Sequence, residues 1–342
     1  MNNNRDICVA IDMMGGDFGL EVTIPAVLMA LSINTHLRLI LVGNKTLIES
    51  KLSNHNLNNI SVINATQVVT MEDIPSVALR KKTDSSMRVA LDLVKANKAN
   101  ACVSSGNTGA LMAIARFVLK TLPGINRPAI LYSLPSKDRT VSVLDLGANL
   151  DCTAEQLFQF AVMGSILITA LGTVRPTIGL LNIGSEPNKG TEAVKSAAKL
   201  ISSATELNYI GFVEGDDIYK GVVDLIVCDG FVGNVALKVT EGLAKLILYY
   251  IKQGFNQGIY SKVIGSLAKP VLKKIFNKFN TNQYNGASLL GLNGTVIKSH
   301  GSADAKAFSN AILAAALEAE KNIPNLIRKK VATQLGVSEH VG

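Results

Sequence analysis

Tryptophan is absent, aromatic residues make up only 5% of the chain, and the four cysteines (Cys8, Cys102, Cys152, Cys228) include no CxxC pair. Scattered thiols with neither paired nor metal-ligand spacing argue against a disulfide framework and a cysteine zinc site, and fit a reduced cytosolic protein. Neither HExxH nor GxGxxG occurs, so the zinc-protease and dinucleotide signatures are missing too. The start, MNNNRDICVAID, lacks the basic, apolar, small-residue order of a secretory signal. Long apolar runs are also scarce. The longest uncharged one, Gln156 to Val174, carries glutamines, glycines, a serine and threonines, and reads as a buried helix, at a subunit interface, rather than a membrane span.

Acid is missing from one whole stretch. Between Glu241 and Asp304 there is no aspartate or glutamate, whereas Lys245, Lys252, Lys262, Lys269, Lys273, Lys274, Lys278 and Lys298 fall inside, matching the chain's net charge of +8. The stretch has no arginine and no recognisable RNA or DNA motif, so nucleic acid is not expected as a partner. Pro270 is expected to divide it, because proline suits a first helical position and disfavours helix at Lys269. Over 270–279, Val271, Leu272, Ile275, Phe276 and Phe279 would share an arc of about 140°, opposite Lys273, Lys274 and Lys278. A basic amphipathic helix of this kind suits an anionic membrane surface or an acidic protein. Lys262, Lys269, Lys273, Lys274, Phe276, Lys278 and Phe279 are the expected contacts, on a lysine-rich helical arm at 243–283 inserted into one α/β unit spanning 1–342.

What the chain does have is 48% apolar residues, grouped in short Val- and Ile-rich runs. Runs at 7–11, 37–43, 101–104, 129–134, 141–146, 177–183, 209–213 and 224–229 alternate with helical stretches, which predicts an α/β fold with a mostly parallel sheet. Many of these runs end in glycine with Asn, Asp or Ser. In an open parallel sheet the carboxyl ends of the strands form the ligand crevice, so the turns are expected to converge there.

The first turn, Asp12-Met13-Met14-Gly15-Gly16-Asp17, pairs glycines that let backbone approach a ligand; the alternative is an ordinary βα loop whose Asp17 caps a helix. The run Ser104-Ser105-Gly106-Asn107-Thr108-Gly109 leaves a strand and opens a helix, where free amides and small polar side chains suit phosphate. Asn149 and Asp151 follow another strand end, as do Asn182 with Lys189, and Asp229 with Asn234. The order around Lys189 is wrong for a P-loop, since its lysine precedes the glycine. Lys81 and Lys82 add cations beside hydroxyls, and His300 precedes a helix. The set points to a phosphate-bearing or thioester substrate without a dedicated metal cage or cofactor.

Taken in chain order, DMMGGD, RKKTDSS, SSGNTGA, INRPAI, LDLGANLD, LLNIGSEPNKG, CDGFVGN and YNGASLLGLNGTVIKSHG resemble the successive motifs of the phosphate acyltransferase family of bacterial phospholipid synthesis. The resemblance runs from residue 8 to about 320. Met13 and Ser105 stand where that family usually has alanine. The resemblance implies a three-layer α/β/α fold similar to the isocitrate and isopropylmalate dehydrogenases, a homodimer, and peripheral membrane attachment in the cytoplasm. It implies reversible acyl transfer from acyl carrier protein to inorganic phosphate, the acyl phosphate then being consumed by a membrane glycerol-phosphate acyltransferase.

A thioester carbonyl is already activated, so positioning and electrostatics should dominate. The expected phosphate site is Ser104, Ser105, Gly106, Asn107 and Thr108, completed by Asn149 and Lys189, with Asn182 or Asn234 donating to the carbonyl oxygen and His300 as a general acid. Asp12, Gly15, Gly16, Asp17, Lys81, Lys82 and Asp229 are expected in substrate loops. The alternatives are a covalent route through Cys102 or Cys228, a coenzyme-A phosphotransacylase, a dehydrogenase using Asp12, Asp17, Asp145, Asp151 and Asp229 for metal, and a carrier-protein scaffold.

Overall fold

The computed structural model describes residues 7–53, 58–279 and 286–335, with backbone alone for 275–279 and 334–335. Its strands are β1 (Cys8–Asp12), β2 (Arg38–Gly43), β3 (Ile60–Asn64), β4 (Ala101–Ser104), β5 (Ala129–Pro135), β6 (Thr140–Leu144), β7 (Thr177–Leu181), β8 (Asn208–Val213), β9 (Leu225–Val227), β10 (Ala287–Leu290) and β11 (Thr295–Lys298). They form one sheet in the order β3-β2-β1-β4-β11-β10-β5-β6-β9-β7-β8. The apolar runs predicted from sequence all became strands. β3, β10 and β11 are additional, and β10 and β11 are too short to stand out from their glycine-rich surroundings.

Strand alternation divides the core. Val9 and Ile11 face one side of the sheet and Ala10 the other; Leu225 and Val227 likewise oppose Ile226. One face is covered by α1 (Leu20–Ile33), α2 (Lys45–Leu52), α6 (Ala154–Ala170), α7 (Glu192–Ser203), α11 (Ala305–Lys321) and α12 (Ile323–Leu335). The opposite, front face carries α3 (Pro75–Lys81), α4 (Ser86–Lys95), α5 (Thr108–Leu119), α8 (Asp217–Lys220) and the start of α9 (Gly230–Phe255). This is the expected α/β/α arrangement.

The sheet is parallel within each half and antiparallel across its middle. β11 runs with β4 and β1, but three antiparallel junctions, β11 to β10, β10 to β5 and β5 to β6, separate it from β6, β9 and β7. An odd number of reversals turns the second half upside down. Its strands therefore end at the edge where those of the first half begin.

The long uncharged run forms α6, held at its start by a reciprocal capping box between Thr153 and Gln156. It is buried against α7 and α12 of its own chain, and Gly164 lets it approach so closely that an added Cβ would lie 2.6 Å from Leu225. No helix among the described residues is long and apolar enough to cross a membrane.

The lysine-rich stretch corrects one expectation. Pro270 does not divide it: α10 (Ile259–Phe279) runs through the proline without a break. α10 packs on the far end of α9, where Gly265 meets the Phe255 ring. The side chains of Phe276, Lys278 and Phe279 lie outside the described residues, as do Tyr284 and Asn285.

Candidate active site

β1, β4 and β11 are neighbours, parallel and in close register, Lys298 lying opposite Ser104. Alternation sends Ala10, Cys102 and Val296 to the front core, so Asp12, Ser104 and Lys298, two residues further on, emerge on that same face at the strand ends. Asp12 is buried and accepts hydrogen bonds from Ser86 Oγ at 2.6 Å, Ser104 Oγ at 2.7 Å and the Met14 N–H at 3.3 Å. Burial raises its pKa, and these donors pull it back.

Glycine makes the approach possible. An added Cβ on Gly15 would sit 2.7 Å from Asp12 Oδ2 and 2.8 Å from the Gly106 nitrogen, and Gly16 adopts φ +80° beside Ser105 Oγ. The loops interlock further: the Asp17 N–H donates to Gly301 O at 2.9 Å, and Ser299 N–H to Ser104 O at 2.9 Å. The structure brings Asp12, Gly15, Gly16, Asp17, Ser104, Ser105, Gly106 and the His300 turn together.

Lys298 is the residue that sequence reading missed. Counted above only as one charge of a basic stretch, it is the last residue of β11, with 8% of its surface exposed. Its ammonium donates to Ser105 O at 3.4 Å and to Ser299 O, and burial lowers its pKa to about 8 despite Asp12 and Asp17 nearby. A lysine closing an apolar TVI run was the available signal.

His300 stands beside it, half exposed. Its Nδ1 is 2.9 Å from Ser302 Oγ, its Nε2 is 3.9 Å from Glu241 of α9, and burial lowers its pKa.

Asn107 is differently employed than expected. Its Oδ1 caps α5 by accepting from Ala110 N–H at 3.0 Å, and its Nδ2 donates to Met71 O at 2.7 Å and Asp73 O at 3.2 Å. With both ends of the amide committed, it clamps the 71–73 loop to α5 instead of presenting a donor to phosphate. The backbone amides of Thr108 and Gly109, in the exposed first turn, have no acceptor among the described residues and keep that capacity. Lys82 is likewise engaged, with Asp73 and with Val68 O at 2.7 Å, while Lys81 is exposed.

The remaining predicted residues belong to the other edge of the sheet. Asp145, after β6, accepts from the N–H groups of Ile130, Ala148 and Asn149 and from Asn149 Nδ2, and burial raises its pKa. Asn149 Nδ2 also donates to Pro128 O, so it serves this turn. Asp229 caps α9 through Val232 N–H at 2.8 Å, and Asn234 lies beside Gly147. Asn182 Nδ2 donates to Lys189 O, and Lys189 lies 3.8 Å from Glu186, in an exposed loop after β7. The reversal of the second half overturns the expectation of a single crevice at one set of strand ends: Asn149, Asn182, Lys189, Asp229 and Asn234 are not brought to the Ser104 turn. α9 links the groups, running from its Asp229 cap to Glu241 beside His300.

The thiols do not look like nucleophiles. Burial raises the pKa of Cys102 and Cys228, Asp12 and Asp145 respectively adding to it, and Cys152 reaches about 12. What the first group offers is a buried cation, hydroxyls and free helix-start amides at adjoining strand ends, suited to an anion.

Known proteins bear on this geometry. A family model described as a fatty acid synthesis protein matches residues 7–326. A phosphate acyltransferase from Legionella pneumophila (strain Paris) is 53% identical over 331 residues, covering 96% of this chain and 97% of the relative. Among solved structures, the EutD phosphotransacetylase from Staphylococcus aureus superposes with a TM-score of 0.61 at 17% identity, covering 92% of this chain and 94% of that one. A 4-hydroxythreonine-4-phosphate dehydrogenase from Salmonella typhimurium gives 0.53 at 13% identity, covering 92% and 99%. At such identities the structural likeness concerns fold alone.

Proposed function

The chain belongs to the phosphate acyltransferase family, an acyltransferase enzyme, and on that premise we propose that it moves a fatty acyl group from the thioester of acyl carrier protein to inorganic phosphate. The observation that carries the reading is the polar cluster at the ends of β1, β4 and β11, where a buried lysine, hydroxyls and helix-start amides suit a phosphate beside an acyl thioester. Ser104, Ser105, Gly106 and Thr108 line the phosphate position, and His300, at the rim, can protonate the departing thiolate. A pantetheine thiol, with a pKa of about 8.5 by analogy with cysteine, leaves with little assistance.

The product would feed phospholipid synthesis through a membrane glycerol-phosphate acyltransferase. The proposal includes a homodimer in the cytoplasm whose 243–283 arm meets anionic lipid. Supporting the arm are exposed Ile259, Tyr260, Val263, Ile264, Leu267 and Val271 on α10, interleaved with Lys262, Lys269, Lys273 and Lys274.

Purified protein should convert long-chain acyl carrier protein and phosphate to acyl phosphate, trapped as hydroxamate. Turnover of acetyl-coenzyme A alone would move the assignment to a short-chain phosphotransacylase, and binding of carrier protein without turnover to a scaffold.

A further inference from the structure

We propose that the ammonium of Lys298 is the phosphate-binding cation of the acyl transfer, holding the attacking oxygen at the joint ends of β1, β4 and β11. The inference rests on the acyl-to-phosphate reading and adds to it the group that meets the nucleophile.

Four observations carry it. Lys298 is nine-tenths buried, yet among the described residues no carboxylate lies within ion-pair distance of it. Two of its three N–H bonds go to the carbonyls of Ser105 and Ser299, leaving one for a ligand. The nearest acid, Asp12, is already occupied by Ser86, Ser104 and the Met14 amide. Across the site Lys238 is answered by Glu241 at 3.0 Å, and the same glutamate faces His300, whereas Lys298 makes no direct ion pair and feels Asp12 and Asp17 only at longer range.

A buried cation with no direct ion pair is costly, because burial outweighs the pull of Asp12 and Asp17, and an arriving anion lowers that cost. Its neighbours on the strand ends are hydroxyls and carbonyls, which fix the ammonium in place without neutralising it. The free Thr108 and Gly109 amides open α5, which follows the same strand β4 that ends at Ser104 opposite Lys298.

The chemistry balances without a cofactor. A lone pair of hydrogen phosphate attacks the thioester carbon, a C–O bond forms, and collapse of the adduct breaks C–S, the electron pair leaving on sulfur. The proton of hydrogen phosphate ends on that sulfur, directly or through His300. Lys298 stays protonated throughout, so its task is to bind and orient.

Full-length protein with Lys298→Met and Lys298→Arg supplies the test, using inorganic phosphate and long-chain acyl carrier protein. Lys298→Met should raise the phosphate KM roughly tenfold or more, about 1.4 kcal/mol or above, while the thioester KM stays within about twofold. Wild-type phosphate affinity, measured calorimetrically without thioester, should fall as pH rises through about 8, where this lysine loses its proton. Asp12, Asp17, Lys238 and His300 also face the group, and all remain in Lys298→Arg, which should keep its affinity across that range. An unchanged phosphate KM in Lys298→Met, or the same alkaline fall in Lys298→Arg, overturns the inference. Should Lys298→Met fail to fold, the pH comparison with Lys298→Arg decides. Wild-type protein that binds phosphate through Lys298 yet makes no acyl phosphate would sink the functional reading and leave this assignment standing.

Discussion

Glu318, on α11, lies fully buried on the back face and accepts a hydrogen bond from Ser288 of β10; burial raises its pKa from 4.5 to about 7. A folded-state pKa above the unfolded one adds stability that is complete below the unfolded value and is lost as pH rises through about 7. Glu318→Gln should therefore melt higher than wild type above neutrality, by at most roughly 3 kcal/mol, with the two converging near pH 5. Parallel melting curves across pH would refute the burial argument. Asn107 supports the site differently, as the clamp between α5 and the 71–73 loop. Its replacement by Ala removes an N-cap, costing about 1–2 kcal/mol, and should lower Tm even in the absence of substrate. An unchanged melt would show the clamp to be idle.

At the scale of elements, the α9–α10 pair departs most from the rest of the fold. Most α-helices here bury one face on the sheet, whereas Leu243, Leu246, Ile247, Tyr249 and Tyr250 on the far half of α9 stay exposed, as do the apolar residues of α10. Pro270 sits in the interior of α10, where it offers no N–H to the Ser266 carbonyl. Pro270→Ala should strengthen that helix by up to about 3 kcal/mol and raise amide-exchange protection over 262–274. Equal exchange in both proteins would mean that packing, not propensity, holds the segment. Leu267→Glu with Val271→Glu should release the protein from anionic vesicles in sedimentation. Continued sedimentation would remove the arm from the membrane proposal.

For the whole molecule, the decisive feature is the reversal of direction in the middle of the sheet. It assigns the Ser104 and Lys189 turns to opposite edges, so their substitutions should separate kinetically. Ser104→Ala, which removes the hydroxyl that holds Asp12 in the site, is expected to raise the phosphate KM several-fold, about 1 kcal/mol for that lost hydrogen bond, with Lys189→Ala leaving it near wild type. A larger effect at Lys189 would show that the two edges meet in the working enzyme. The strands and the glycine-bearing turns were legible because they depend on local patterns: alternation along each strand, and the backbone freedom of glycine that Gly16 uses at φ > 0. Each is decided within a few residues, so the order of residues along the chain was enough to determine it. Which turns share a site was not local. It follows from the direction of each strand relative to partners far away in sequence, such as β11 beside β4, and that pairing is what converts Lys298 from one charge among many into a buried cation facing Asp12. Tertiary structure decided this because desolvation and strand direction belong to the assembled sheet, and no short segment carries either.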